Sequence, residues 1–456
     1  MGADGGKGHV GKMTERLVGN TRDTMKSQNV YTKQQRIAEL AGQTPRFRMV
    51  SLNQYLDMEW MREAYRLTRK SGAPGVDGVT AEEYERNLET NLANLLERAK
   101  SGRYQAPPVR RAYIPKGQNE KRPLGLPTLE DKVLQRAVVM LLQPVYERDF
   151  LDCSHGFRPH RSPHTTVEAL WKRIMTMNGC WLIDADIRKF FDTLAKTAMR
   201  KILNQRVGDG VIRRLVSKWL HAGVMEDGAI WYPETGTPQG GVISPLLSNI
   251  YLHEVLDVWF EQVIKPLLSG KAFLIRFADD FVMGFERQVD AQRVLEVLYK
   301  RFEKYGLTIH PEKTRLISFY SPKKQGGKRT SFDFVGFTHY WDRSRKGRDY
   351  VRRETRSSRL TRAIQNMREY CRKTMADPIR EQWLGLCIRM KGHYGFYGIT
   401  GNARSLSRYR DEVGRIWWHS LNRRSGHKGK GWDWFKRKVL IRYPLPPARV
   451  VHSVYA

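Results

Sequence analysis

Cysteine is scarce in this chain. The four present, Cys153, Cys180, Cys371 and Cys387, form no C-x-x-C pair. That excludes zinc-finger spacing and a disulfide framework, so a reducing cytoplasm is the expected compartment. Long apolar runs are missing as well. None approaches the roughly 20 residues that a membrane helix needs. The opening MGADGGKGHVGK has no hydrophobic signal core. It begins Met-Gly, but Gly6 stands where N-myristoylation wants Ser or Thr. Acidic residues are the third shortage. Asp and Glu number 47 against 80 Lys and Arg, a formal charge of +33. A merely soluble protein has no need of that excess. A polyanionic partner does, with nucleic acid first and an acidic membrane surface second.

What is there suffices for a sizeable core, since 40% of the residues are apolar. The 456 residues make room for about three domains, or two with extensions. Residues 1 to about 30 are Gly-rich and polar and read as disordered. Residues 50 to 70 read as helical, and GAPGVDG, 72 to 78, as a turn-rich loop. Thr80-x-x-Glu83 is a capping pattern that starts another helix. From about 105 to 345 short strands and helices interleave, an α+β texture. SPKKQGGKRTS, 321 to 331, is a basic Gly loop without the spacing of a phosphate-cradling P-loop. After about 346 the texture is helical. Leu360, Ile364, Met367, Cys371 and Met375 recur at helical spacing. So do Trp383, Leu386, Cys387, Met390 and Tyr394, and Leu406, Tyr409, Val413, Ile416, Trp417 and Leu421. Three amphipathic helices of this kind can pack as a small bundle. Residues 346–456 hold 26 Lys and Arg against 8 Asp and Glu, a net of +18.

The chemistry gathers around acids. IRFADDFVMG, 275 to 284, sets Asp279 and Asp280 between two apolar runs and reads as a tight hairpin with the pair at its tip. Like charges that close repel unless a divalent metal neutralises them. Alone, a water-exposed Asp-rich turn accounts for the pair equally well. CWLIDADIRKFFD, 180 to 192, is an apolar strand running into Asp184, Asp186 and Asp192; the first two share a face if the strand continues. A strand-borne Asp facing a hairpin-borne pair can hold two Mg²⁺ ions, which take carboxylates, phosphates and water as ligands. Two such ions about 4 Å apart serve nucleotidyl transfer. Between them GTPQGGVISPLLSNIYL, 236 to 252, is a Gly/Pro turn opening onto an apolar helix, where Gln239, Gly240 and Gly241 allow close approach of a ligand. Upstream, YIPKGQNEKRPLGLP carries Lys116 and Arg122 on an expected strand pair, two cations suited to a triphosphate. Taken singly, each is better read as an ordinary turn or a solvated basic loop.

Together and in this order, these stretches resemble the bacterial group II intron reverse transcriptases, also called intron-encoded maturases. The resemblance runs from about residue 45 to the C-terminus, through GAPGVDG, IPKGQNEKRPLGLPTLEDKVLQ, SHGFRP, DADIRKFFD, GTPQGGVISPLLSNIYL, RFADDFVMGF, GLTIHPEKTRL, FDFVGF, RMKGHYGFYGITGNARSLSRY and WHSLNRRS. It implies an α+β right-hand polymerase: a polar extension over 1–45, fingers and palm over 46–345, a helical thumb or maturase region over 346–425, and a basic tail over 426–456. It implies that Asp186, Asp279 and Asp280 bind two Mg²⁺ ions, with Mn²⁺ as a substitute, helped by the Ile187 carbonyl. Lys116 and Arg122 would grip the incoming dNTP, with Gln239 and Gly240 in its pocket. Phe191 would be the sugar gate, Lys313 the proton donor to pyrophosphate, and Gly336 part of the primer grip. The implied partners are an intron RNA template, a DNA primer or target and dNTPs, with no membrane.

Some departures stand out. Phe277 replaces the usual Tyr before Ala-Asp-Asp, and His155 stands where Tyr is commoner. TLAKTAM follows Asp192 in place of more acidic text. No Cys/His cluster follows the thumb, so no HNH endonuclease is expected and a primer would come from elsewhere. The expected function is RNA-directed DNA polymerisation with maturase activity. A non-catalytic splicing factor and a domesticated reverse transcriptase of defence or repair are the alternatives. The complete acid set argues against a relic, because desolvated carboxylates are costly to keep.

Overall fold

A computed structural model describes residues 29–43, 47–116, 120–233, 236, 240–424 and 429–453. The chain begins there with helices α1 (29–43), α2 (Met58–Leu67), α3 (Ala81–Glu85) and α4 (Leu88–Ser101). The hairpin β1 (Val109–Lys116) and β2 (Glu120–Leu126) follows, then α5 (Leu129–Asp149) and α6 (Pro163–Met177). Strand β3 (Cys180–Arg188) leads through α7 (Phe190–Thr193) to α8 (Lys196–Arg206), α9 (Gly210–Leu220) and the short strands β4 (Val224–Glu226) and β5 (Ala229–Trp231). Next come α10 (Ser244–Leu252) with a π-helical extension (His253–Ile264), the hairpin β6 (Ala272–Phe277) and β7 (Asp280–Phe285), α11 (Gln288–Lys304), β8 (Thr308–Ile309) and β9 (Arg315–Phe319). Strands β10 (Ser331–Phe334), β11 (Phe337–Arg343) and β12 (Asp349–Thr355) precede α12 (Ser357–Lys373), α13 (Ile379–Tyr397), α14 (Ala403–Arg424) and α15 (Trp432–Phe435). This is an α+β protein. Among the described residues no helix is long and apolar enough to cross a membrane.

The chain divides into two compact units. The first comprises Met1–Phe157, Ile187–Val263 and Val297–Ile309. Its centre is α5, apolar nearly all round, with Val133, Leu134, Ala137, Val138, Leu141, Leu142 and Val145 buried, as a helix surrounded by protein must be. Trp60 of α2 is fully buried and donates its indole N–H to the Ala137 carbonyl at 2.9 Å. Thr80 and Glu83 form the expected capping box at the start of α3, a motif worth about 1 kcal/mol. The sheet has the order β2-β1-β4-β5. Residues 29–43, part of the stretch read as a polar extension, form a helix that buries Val30, Ile37 and Ala41. Three well-spaced apolar residues suffice there, and the polar remainder hid them. Residues 1–28 lie outside the described residues.

The second unit comprises Arg158–Asp186, Ile264–Glu296 and His310–Ala456. Here β7 pairs with β6 on one side and with β3 on the other, and β3 also pairs with β9. Leu170 and Ile174 of α6 pack with Cys180, Leu182, Phe273, Ile275, Val282 and Phe319 in one core. A meander β10-β11-β12 follows, so the helical texture expected from about 346 starts only at Ser357. In β12 the inward positions are Val351, Arg353 and Thr355. A buried Arg and Thr at alternate sites disguise the period of two that marks a strand. The helices α12, α13 and α14 do form a bundle around Leu360, Met367, Cys371, Leu386, Met390, Tyr394, Leu406, Tyr409, Val413 and Trp417. Burying each large apolar side chain contributes about 1.5–3 kcal/mol. The stretch read as a basic tail joins that core through Phe435, Val439 and Leu445. Lys and Arg on every side of them masked the apolar spacing.

Candidate active site

The β6–β7 hairpin turns in two residues. Phe277 pairs with Asp280, which leaves Ala278 and Asp279 at the tip. Ala278 has φ 59°, the left-handed conformation that tight two-residue hairpins demand and that a Cβ makes costly. Arg276, fully buried, donates from Nη1 to the Ala278 carbonyl at 3.0 Å and so braces the tip. Across the other edge Asp186 of β3 pairs with Asp280. Residues paired in a ladder point to the same side, so Asp186, Asp280 and Phe277 share one face. The next row, Ala185, Phe281 and Arg276, lies on the opposite face. The hairpin and the acid-bearing strand expected from sequence are therefore both present, and the ladder brings Asp186 and Asp280 together.

The electrostatics mark a charge surplus. Burial, first, and then Asp184, with smaller contributions from Asp279 and Asp186, push the Asp280 carboxyl up to about 7. Asp184, two residues before Asp186 on the same face, is 13% exposed and accepts from Arg315 at 2.7 Å. Its carboxyl is also raised by burial, against the pull of Arg315. Lys313 donates to Asp186 Oδ2 at 3.0 Å. A turn in which the Lys313 and Thr314 N–H groups donate to the His310 carbonyl, at 3.2 and 3.0 Å, presents that lysine. Both partners are half exposed, 54% and 44%, so the pair is worth little to stability.

Among the described residues no group of three or more His, Cys, Asp or Glu side chains is arranged to hold a metal by itself. The donor set nevertheless fits Mg²⁺, which takes one or two carboxylates and completes its shell with water and substrate phosphates. The geometry behind that fit is the pairing of Asp186 with Asp280 across the ladder, with Asp279 at the adjoining hairpin tip.

Most of the remaining site residues predicted from sequence lie in the first unit. The β1–β2 register sets Arg122 opposite Ile114 and Lys116 opposite Glu120; the Lys116 side chain lies outside the described residues. Ile187 is buried and pairs with Ile309 of β8. Phe191 is half-buried in α7, its ring edge-on to Phe190 at 5.3 Å. Gln239 lies outside the described residues. Gly240 has φ 124°, and a Cβ there would stand 2.2 Å from the Gly125 carbonyl oxygen of β2. Only glycine fits that position. Gly336, in the second unit, sits at the β10–β11 turn between the paired Phe334 and Phe337. Sequence reasoning missed Arg276 and Arg315. A cation inside the apolar run FLIRF was the available signal for the first; nothing local pointed to the second.

Residues 114–339 match the family described as reverse transcriptase (RNA-dependent DNA polymerase). Protein YkfC of Escherichia coli K12 is 39% identical over 247 residues, which are 52% of this chain and 64% of YkfC. The group II intron-encoded protein LtrA of Lactococcus lactis subsp. cremoris is 36% identical over 193 residues, 42% of this chain and 32% of LtrA. The chain thus spans less than two thirds of the length of either relative.

Proposed function

We propose that the chain is a group II intron reverse transcriptase/maturase, an RNA-directed DNA polymerase that also binds intron RNA and supports its splicing; the match of residues 114–339 to the reverse transcriptase family and the likeness to LtrA support this. The observation that carries this reading is the ladder pairing of Asp186 with Asp280, with Asp279 at the adjoining hairpin tip, in a chain of formal charge +33. An RNA-binding splicing factor without catalysis has use for the positive charge. It has none for carboxylates clustered on one face, with Asp184 mostly buried, which only cost stability.

In this reading Asp186, Asp279 and Asp280, with the Ile187 carbonyl, hold two Mg²⁺ ions. When bound, such ions activate the primer hydroxyl and stabilise the leaving pyrophosphate. Lys313, held at Asp186, supplies a proton to that pyrophosphate. Lys116 and Arg122 neutralise the incoming triphosphate, and the Phe191 ring fills the space that a ribose 2′-OH would need. Gln239 and Gly240 bring backbone and amide against the nucleotide. The first unit and the acid-bearing sheet would serve as fingers and palm, and α12–α14 as the thumb or maturase region, beginning after β12.

The test is extension of a DNA primer on an RNA template by purified protein with Mg²⁺ and dNTPs. cDNA synthesis that stops on chelation is the expected result. No cDNA on any primed RNA rejects the reading.

A further inference from the structure

The stretch TLEDKVLQ takes no part in the chemistry above. Its Asp131 and Gln135 stand one turn apart on α5 in the first unit, 2% and 3% exposed. Asp131 Oδ1 accepts from the Tyr104 hydroxyl and from Trp219 Nε1, the latter at 2.7 Å. Its Oδ2 accepts from Gln135 Nε2 at 3.0 Å. Gln135 Oε1 in turn accepts from the Ile243 backbone N–H at 3.2 Å. Burial pushes the Asp131 carboxyl up to about 6, which still leaves it ionised at pH 8. An ionised carboxylate only accepts hydrogen bonds. Gln135 must therefore turn its NH₂ to Asp131 and its oxygen to Ile243. The acid, not the glutamine, decides which way the amide faces.

Ile243 lies inside the turn that the Ser244 N–H closes on the Gly241 carbonyl at 3.2 Å, directly after Gly240. The fit around that turn is tight. A Cβ on Gly241 would stand 2.9 Å from Gln135 Oε1 and 3.0 Å from Ser244 Oγ. The cavity lined by Asp131, Gln135, Trp219, Gly241 and Ser244 has a volume of about 20 Å³, room for one water. An unpaired N–H at Ile243 would have at most that one water to turn to.

We propose that Asp131 and Gln135 are positioning residues acting as a relay: the buried acid orients the Gln135 amide, the amide holds the Ile243 N–H, and the Gly241–Ser244 turn, with Gly240 beside it, is thereby set for the incoming nucleotide. The proposal rests on the reading of Gly240 as part of the nucleotide pocket. Asp131→Asn keeps the shape, but Trp219 Nε1–H holds the Asn oxygen, so the Asn NH₂ faces Gln135 and favours the turned-over amide, with its NH₂ against the Ile243 N–H. Gln135→Met keeps the volume and removes both bonds. Tyr104→Phe removes a bond to the same acid without touching the relay, and so reports what mere loss of stability does.

At pH 8, Asp131→Asn and Gln135→Met should each raise KM for dNTPs about tenfold, the worth of one hydrogen bond that leaves a buried group unpaired, with kcat within about twofold. The double variant should be no worse than either single, because members of one chain of bonds are not additive. Tyr104→Phe should lower the melting temperature and leave KM alone. Hydrogen exchange of a peptide covering 240–247 should quicken in the two relay variants and not in Tyr104→Phe. Unchanged KM and exchange, additive losses in the double variant, or an equal KM rise in Tyr104→Phe overturn the relay. If the unaltered chain makes no cDNA, the polymerase reading falls. The exchange data then decide the relay alone: quickening in both variants supports it and unchanged exchange overturns it.

Discussion

In the sheet of β3, β6 and β7, the scarce negative charge is gathered: Asp184, Asp186 and Asp280 share one face, and burial first, then Asp184, push the Asp280 carboxyl up to about 7. In the bundle of α12–α14, the abundant positive charge is pushed out. Its core is Leu360, Met367, Leu386, Met390, Leu406, Val413 and Trp417, while Arg359, Arg362, Arg368 and Arg372 stand on α12 outside that core. The two arrangements cost very different amounts. Solvated arginines are nearly free of penalty. Clustered, desolvated carboxylates are not. On the proposed reading, the difference separates a sheet in which stability is given up for charge density from a bundle whose outward charge suits a polyanion.

The largest effect expected from that division is on rate. Asp279→Asn keeps size and hydrogen bonding but removes one charge from the acid set. cDNA synthesis should fall by about 10³-fold, the scale on which electrostatic stabilisation of the transferring group acts. RNA affinity should hardly move. If both fall together on one preparation, the acid pair is structural and the division breaks.

The next effect belongs to the bundle. Changing Arg359, Arg362, Arg368 and Arg372 to Gln should weaken RNA binding by about 10²-fold at low salt. The slope of log affinity against log salt should flatten by about 0.7–0.9 for each phosphate no longer neutralised. Turnover at saturating template should stay unchanged. An unaltered salt slope would place the RNA surface elsewhere. A smaller change is expected from Phe191→Ala, which should admit ribonucleotides and cut the preference for dNTP over rNTP by about tenfold, the scale on which an apolar pocket rejects one added hydroxyl. An unchanged preference removes Phe191 from that role.

What was legible in the sequence follows the same contrast. Local patterns carried the hairpin at Asp279 and Asp280, the strand through Asp186, the capping box at Thr80 and the three helical stripes of the bundle. Each is written in a short window with an uninterrupted period. Strand β12 was missed because Arg353 is buried where the pattern calls for an apolar side chain. The helix at 29–43 and the packing of Phe435, Val439 and Leu445 were missed because polar and basic neighbours drown a few apolar anchors. Pairings between distant segments, such as Arg315 with Asp184 or Gln135 with Ile243, leave no local trace at all.

The smallest effect is a stability change whose sign depends on pH. Asp280 has its carboxyl raised to about 7 in the folded chain, against about 3.9 for an unfolded aspartate. Between those values the folded state keeps a proton that the unfolded state has already released. Stability contributed by this group therefore falls as pH rises from about 4 to about 7, and the full penalty is present above 7. Asp280→Asn cannot ionise and escapes it. Without divalent metal, the variant should melt above the unaltered protein by on the order of 2 °C at pH 8, with the gain vanishing near pH 4. Adding Mg²⁺ should reverse the order at pH 8, since a ligand that binds the ionised face stabilises only the protein that has it. Melting curves at the two pH values, with chelator and with Mg²⁺, read both effects. A variant that is less stable at pH 8 in chelator would show that Asp280 is neutralised by the fold itself, and the acid-bearing sheet would then be no different in kind from the bundle.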